Sequence, residues 1–250
     1  MSTTSVALIL AAGNGSRLAP VSGGMPKPLV KLRGKPILEH IMSAAQEAGI
    51  QKFVIVVGYH GDAIRSWIAR CPLDGIAIEL VVNDEYKKDN GVSVLKAANT
   101  IDGPFLLLMG DHLFQPETAT ALLQQPLNED EVILAIDYRV NDIFDLDDAT
   151  KVACDGGYIT AIGKNIEHYE AIDTGMFVCN PVVFSCLRSA LKNGNCSLSD
   201  AMRVMISNRK LRSFDIGDGL WQDVDTPQAF AHAELLAEQH IQFLPEAILV

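Results

Sequence analysis

"SVALILAAGNGSRL" spans Ser5–Leu18, and its reading fixes the fold class. Val6 to Ala12 is an unbroken apolar run, the pattern of a parallel strand covered on both faces. Gly13-Asn14-Gly15-Ser16-Arg17 follows directly. Glycines at such a place let the backbone approach an anion closely and turn its N–H groups toward it, and an adjacent arginine adds a bidentate contact. Two familiar phosphate loops do not fit. A dinucleotide fingerprint wants a third Gly or Ala where this chain has Leu18, and a helix at once, whereas Pro20, Gly23, Gly24 and Pro26 keep the segment open. A Walker loop wants Gly-Lys-Ser/Thr, and here Gly34-Lys35 is followed by Pro36.

Outward from this stretch, strand-length apolar runs alternate with longer amphipathic ones. The spacing predicts a helix over 36–49, a strand over 52–58, a helix over 62–71 capped by Asp62 and a strand over 76–82. A helix over 91–99 and a strand over 104–112, ending in Gly110 and Asp111, come next. The alternation predicts right-handed βαβ units, and so an α/β, Rossmann-like, doubly wound mixed sheet with helices on both faces. Further on, 151–163 reads as a hairpin turning at Asp155-Gly156-Gly157, 171–180 as a strand and 181–194 as a helix. A serine-capped helix is expected over 197–208 and a strand over 211–216. A last helix over 226–241 would have Thr226 as cap and Pro227 at its first position. The later strands are expected to form a small β-rich flap. Ligands of such sheets sit beyond the carboxyl ends of the strands. That rule puts the glycine loop and Asp111 on one edge.

The net charge of −11 over 250 residues argues against a nucleic-acid partner, which needs a basic stripe to displace counterions. Its distribution is uneven. Residues 1–38 hold Arg17, Lys27, Lys31, Arg33 and Lys35, with no acid before Glu39, so this loop is a local positive spot able to focus a small anion. Five cysteines without a CxxC pair read as free thiols in a reducing compartment. No apolar run approaches the ~20 residues of a membrane span, and 6–12 lacks a charged leader. The expected location is the cytoplasm, with no direct membrane insertion.

"LAAGNGSRL" (10–18) followed by "PKPLVKLRGKPILEH" (26–40) resembles the signature of the nucleotidyltransferases that activate phosphorylated sugars and alcohols with a nucleoside triphosphate. "NDEYKKDNGVSVL", "LLMGDHLF", "ATKV", "AIGK", "DTGMFV" and "LWQDVDT" follow in that family's order. In detail they are most similar to its inositol-1-phosphate cytidylyltransferase branch. The resemblance implies a Mg²⁺-dependent transfer of CMP from CTP to a small phosphorylated alcohol, with inositol 1-phosphate as acceptor and CDP-inositol and pyrophosphate as products. Phosphocholine, aminoethylphosphonate, a sugar 1-phosphate, or a nucleotide-binding module without turnover are the alternatives. Phosphocholine would call for an aromatic or acidic box, and only 6% of the residues are aromatic.

The resemblance also assigns roles within a single domain over 1–250, with a nucleotide-binding half of about 1–112 and an acceptor and flap half of about 113–250. Arg17 and Lys27 grip the triphosphate and the transition state. Leu10, Ala11, Ala12, Gly13, Gly15 and Gly110 line the nucleotide, and Asn90, Gly91 and Ser93 read its base and ribose. Lys151 and Lys164 meet the acceptor phosphate, with Asp173, Thr174 and Gly175 around the acceptor. Asp111 holds Mg²⁺ together with Asp225 or Asp223, Asp225 being favoured. Blander readings stand beside these: an N-cap for Asp225, a plain turn for Asn90-Gly91 and an exposed strand residue for Lys151. Asp145, Asp147 and Asp148 read as a solvated acidic loop and Trp221 as core. A phosphate monoester is already a charged nucleophile, so positioning and neutralisation suffice without a catalytic base. The partners implied are CTP and the acceptor, then a separate membrane-bound transferase that uses the product. A homodimer is compatible with this reading.

Overall fold

A computed structural model describes residues 4–240, 243 and 244. β1 (Val6–Ala11) lies inside a nine-stranded sheet, and its alternating side chains explain its unbroken apolar run: Ala7, Ile9 and Ala11 enter one core, Leu8 the other. After the glycine loop come a short helical turn, α1 (Ala19–Ser22), a two-residue hairpin of β2 (Lys31–Leu32) and β3 (Lys35–Pro36), and α2 (Ile37–Glu47). β4 (Lys52–Val57), α3 (Gly61–Ile68), β5 (Ala77–Val82), α4 (Asn90–Lys96) and β6 (Phe105–Met109) follow. β1 pairs in parallel with β4 and β6, and β4 with β5. The carboxyl ends of these strands therefore share one edge, where the glycine loop and Asp111 emerge.

β7 (His112–Phe114), α5 (Pro116–Leu123) and β8 (Val132–Asp137) open the second half, followed by β9 (Lys151–Asp155), β10 (Tyr158–Gly163) and β11 (Ala171–Cys179). α6 (Val182–Ala190), α7 (Leu198–Ser207), β12 (Leu211–Asp215), β13 (Trp221–Asp223) and α8 (Pro227–Gln239) end the described chain. The sheet order is β5-β4-β1-β6-β11-β8-β12-β10-β9. β11 runs antiparallel to β6 and β8, while β12 is parallel to β8. The result is the mixed, doubly covered α/β sheet expected, with the β9–β10 hairpin at its far side.

Local chemistry accounts for most boundaries. Ser197 and Asp200 form a reciprocal capping box on α7, and the Thr226 hydroxyl accepts the Ala229 N–H at the start of α8, with Pro227 first. Asp62 is a correction. α3 begins after His60, which has a positive φ of 51° and no side-chain cap, so Asp62 lies inside the first turn, where its charge suits the helix N-terminus instead. The helix expected over 91–99 is shorter, and α5 and β8 were not anticipated. Ile241, the last residue of the helix expected over 226–241, falls outside the described residues.

Candidate active site

The glycine loop is shaped by what packs on it. Gly15 has a φ of +56°, and a Cβ there would come within 2.6 Å of the Lys27 Cβ. Only glycine lets the Lys27 stem cross the loop this closely. Gly110 plays the matching part on the other side: its N–H donates to the Leu10 carbonyl at 3.0 Å, and an added Cβ would sit 2.5 Å from that oxygen. Asp111 is thereby held against the loop. The Val224 N–H then donates to the Asp111 carbonyl at 2.9 Å, which draws the segment after β13 alongside and delivers Asp225.

These three backbones converge on one ammonium. Lys27 is 7% exposed, and its Nζ donates to Asp111 Oδ2 at 2.5 Å and also to Asp225 Oδ1. Burial would lower the Lys27 pKa, but Asp111 and Asp225 outweigh it and raise it above the ordinary value. Burial would likewise raise Asp111, but Lys27 and His112 hold its carboxyl well below the usual range. Both directions describe a charged pair. Arg17 extends the network with Nη2 to Asp225 Oδ2 at 2.5 Å and Nη1 to Asp148 Oδ2 at 2.7 Å.

A cleft bordered by Leu10, Ala11, Gly13, Gly15, Arg17, Lys27, Gly110 and Asp111 brings together most of the residues expected to meet a nucleotide. Ala12 is buried behind it, its carbonyl accepting the Tyr59 N–H. A second cavity is lined by Asn90, His112, Asp145, Asp148, Lys164, Asp173, Gly175, Trp221 and Asp223. Asp225 borders both. The N-cap reading of Asp225 does not hold, because Thr226 caps α8. Asp223 stands near the same charges but is not hydrogen-bonded to Lys27: burial, together with the neighbouring Asp111 and Asp225, raises its pKa, and its Oδ1 accepts from Gln222 Nε2 at 3.1 Å.

Other expectations separate. Asp173 faces the second cavity, and burial pushes its pKa up to about 6 against the Gly175 N–H and His112. Thr174 is a correction: alternation along β11 turns it inward, 2% exposed, where its hydroxyl donates to the Ala135 carbonyl at 2.9 Å. Gly175, at φ +77°, makes room for the His112 ring, which a Cβ would approach to 2.5 Å. Lys151 is buried, and its Nζ donates to the Asp147 carbonyl at 3.0 Å. Gly91 packs so tightly on Cys196 that a Cβ would lie 2.6 Å from its carbonyl oxygen. Buried Ser93 accepts from Asn83 Nδ2, and Asn90 Oδ1 accepts the Leu198 N–H. Asn90 alone of these three borders the second cavity's wall.

Residues outside the expected set also stand in the site. Asp148 is not simply solvated, since one oxygen meets Arg17 and the other meets Lys164 Nζ at 2.5 Å. His112 donates from Nδ1 to Asp111 Oδ1 at 2.7 Å, and Asp111 raises its pKa to about 9 although burial works the other way. Its ring stacks on Trp221, whose Nε1 donates to Asp137. Trp221 packs against the core, as expected, and also borders the cavity.

Residues 7–206 match the family described as MobA-like NTP transferase domain. The chain belongs to that family. Two relatives of this NTP transferase domain are bifunctional IPC transferase and DIPP synthases. The one from Rubrobacter xylanophilus is 33% identical over 224 residues, 89% of this chain and 49% of that protein. The one from Aquifex aeolicus is 30% identical over 223 residues, with the same two shares. The chain thus spans about half the length of the curated relatives it matches. The solved inositol-1-phosphate CTP transferase from T. maritima superposes with a TM-score of 0.86 at 26% identity, covering 95% of this chain and 96% of that one. A UDP-glucose pyrophosphorylase complexed with UDP-glucose superposes at 0.80 with 18% identity, over 94% and 99% of the two chains, and shares the fold. Among the described residues, no helix is long and apolar enough to cross a membrane.

Proposed function

We propose that this NTP transferase domain moves CMP from CTP to a small phosphorylated alcohol, with inositol 1-phosphate as the first candidate acceptor. The observation that carries the reading is the junction at Asp225: the glycine-loop cleft with Lys27 and the cavity with Lys164 and Asp173 meet at one carboxylate. Relatives named as IPC transferases and the 26%-identical inositol-1-phosphate CTP transferase support the choice of nucleotide and acceptor.

An acceptor phosphate oxygen would form a bond to the α-phosphorus of CTP while the bond from that phosphorus to the bridging oxygen breaks and pyrophosphate leaves. Arg17 and Lys27 bind and orient the triphosphate and offset its charge, and Lys164 brings the second phosphate into line. Asp173, on the cavity wall, accepts from acceptor hydroxyls. No proton has to be removed from the nucleophile.

Asp111 and Asp225 fit a divalent cation: two carboxylate oxygens from separate backbones already converge on a single point of positive charge. Among the described residues no group of three or more His, Cys, Asp or Glu forms a protein-only metal cage. The arrangement suits Mg²⁺, which commonly takes one or two carboxylates and completes its shell with water and substrate phosphates. When bound, it supplies charge neutralisation at the phosphates.

The test is pyrophosphate release with Mg²⁺, crossing CTP, UTP, ATP and GTP against inositol 1-phosphate, phosphocholine, aminoethylphosphonate and glucose 1-phosphate. Turnover confined to CTP with inositol 1-phosphate is expected. Turnover with another pair would replace the substrates and keep the mechanism. No turnover with any pair would leave only a nucleotide-binding module.

A further inference from the structure

Asp148 lies on the loop between β8 and β9 and bonds to two cations far apart in sequence. Its Oδ2 accepts from Arg17 Nη1 at 2.7 Å and its Oδ1 from Lys164 Nζ at 2.5 Å. Arg17 borders the glycine-loop cleft and Lys164 the second cavity, so one carboxylate bridges the cations of both. The other terminal nitrogen of Arg17 is already on Asp225. A guanidinium recognises phosphate by presenting two N–H groups side by side, and here both of its terminal nitrogens are committed to protein carboxylates.

We infer that Asp148 is a built-in stand-in for substrate phosphate, a tethered anion that holds Arg17 and Lys164 until phosphoryl groups displace it. The inference rests on the proposed phosphate-binding role of this cleft. The loop does not need the Asp148 side chain for its own shape: Ala149 N–H donates to the Asp145 carbonyl, Asp173 N–H to the Thr150 carbonyl, and Lys151 to the Asp147 carbonyl. The carboxylate can therefore swing away while its backbone stays anchored. Release is also cheap. The side chains of Arg17, Asp148 and Lys164 are 49%, 32% and 52% exposed, and pairs so open to water are weak and screened.

A tethered competitor acts at a high effective concentration. Against it, a lone phosphate ion offers few contacts and is held off. A triphosphate that also engages Lys27 and the glycine-loop N–H groups has enough contacts to prevail. Asp148 would thus select polyphosphate substrates over the free phosphate of solution and keep the cations ordered between turnovers.

The test is calorimetric titration of the whole chain, without nucleotide, using inorganic phosphate and pyrophosphate as separate probes. Wild type, Asp148→Asn and Arg17→Gln are compared, with thermal melts as a folding control. Asp148→Asn is expected to bind inorganic phosphate about three- to tenfold more tightly than wild type, with a smaller gain for pyrophosphate, while Arg17→Gln weakens both. Asp148→Ser carries the same expectation and replaces the amide if that variant misfolds. Equal or weaker phosphate binding by the Asp148 variants, with wild type binding normally, would overturn the inference and leave the proposed function standing. No binding of either anion to wild type or any variant would overturn both.

Discussion

Lys27 sits at 7% exposure in a position where an isolated ammonium would lose its proton, and two carboxylates keep it charged. In the proposed reading, that makes it the residue on which phosphate binding and metal binding meet. Lys27→Met is expected to lower kcat on the order of 10²–10³-fold, the scale of losing one oriented charge donor, measured by pyrophosphate release. Asp225→Asn should raise the Mg²⁺ concentration for half-maximal activity by about tenfold or more. Asp223→Asn should shift it far less, because Asp223 has no bond to Lys27. Equal shifts would return Asp223 to the metal site. Asp173 offers a different reading of the same chemistry. Burial raises its carboxyl from 3.8 to about 6, so between those values the folded chain holds a proton that the unfolded chain has released. Stability then falls as pH rises through that window and stays lower above it. Asp173→Asn should melt higher at pH 7.5, by roughly 1 to 3 kcal/mol, with the gain gone near pH 4, and should raise the acceptor KM. An unchanged difference at both pH values would remove burial of this charge as the cause. Of the residues that converge at the candidate site, Arg17, Lys27 and Asp111 stood out in the sequence because glycine and proline context marks them. Asp148 did not. It looks like its neighbours Asp145 and Asp147 in sequence, and what distinguishes it is a partner 131 residues away.

Elements defined by their own residues were legible; those defined by contact were not. The α7 and α8 starts follow from Ser197 and Thr226, whose hydroxyls accept local N–H groups. Asp62 carries the same sequence signal, yet a left-handed His60 starts α3 one residue earlier. β8 is an exception: its apolar run over 132–136 is as clean as that of β1, yet it is not among the elements predicted from the sequence, and its place between β11 and β12 could not be read either, since chain order does not give spatial order. The glycines at element ends show the same division. Gly110 ends β6 at a point where the Leu10 carbonyl comes too close for a side chain. Gly110→Ala must push β1 and Asp111 apart, with a cost of about 2–4 kcal/mol and a large loss of activity, read by denaturant melts and turnover. Ser197→Ala, at a residue that itself lines neither cavity, should cost about 1 kcal/mol. Wild-type stability in Gly110→Ala would mean that the close approach is not rigid.

At the scale of the whole molecule, the acid-free N-terminal segment is neutralised by acids from later in the chain. Arg17 and Lys27 pair with Asp111, Asp148 and Asp225, so the positive loop and the acidic remainder are complementary parts of one site. The sheet crosses the same division. β6 ends the first half yet pairs with β11 from Cys179 opposite Phe105 to Met176 opposite Leu108, and β7 pairs with β13 across the site. Both cores also draw residues from the two sides of residue 112. Cutting there would bare the edge of β6, with its unpaired N–H and C=O groups, along with much of the apolar surface beneath it. Calorimetry should therefore give one transition, with a calorimetric to van't Hoff enthalpy ratio near one. A fragment of residues 1–112 should be unfolded or aggregated. Two separate transitions, or a fragment with native-like circular dichroism that melts cooperatively, would show that the halves fold independently and that the charge pairing at Arg17 and Lys27 is a docking contact between them.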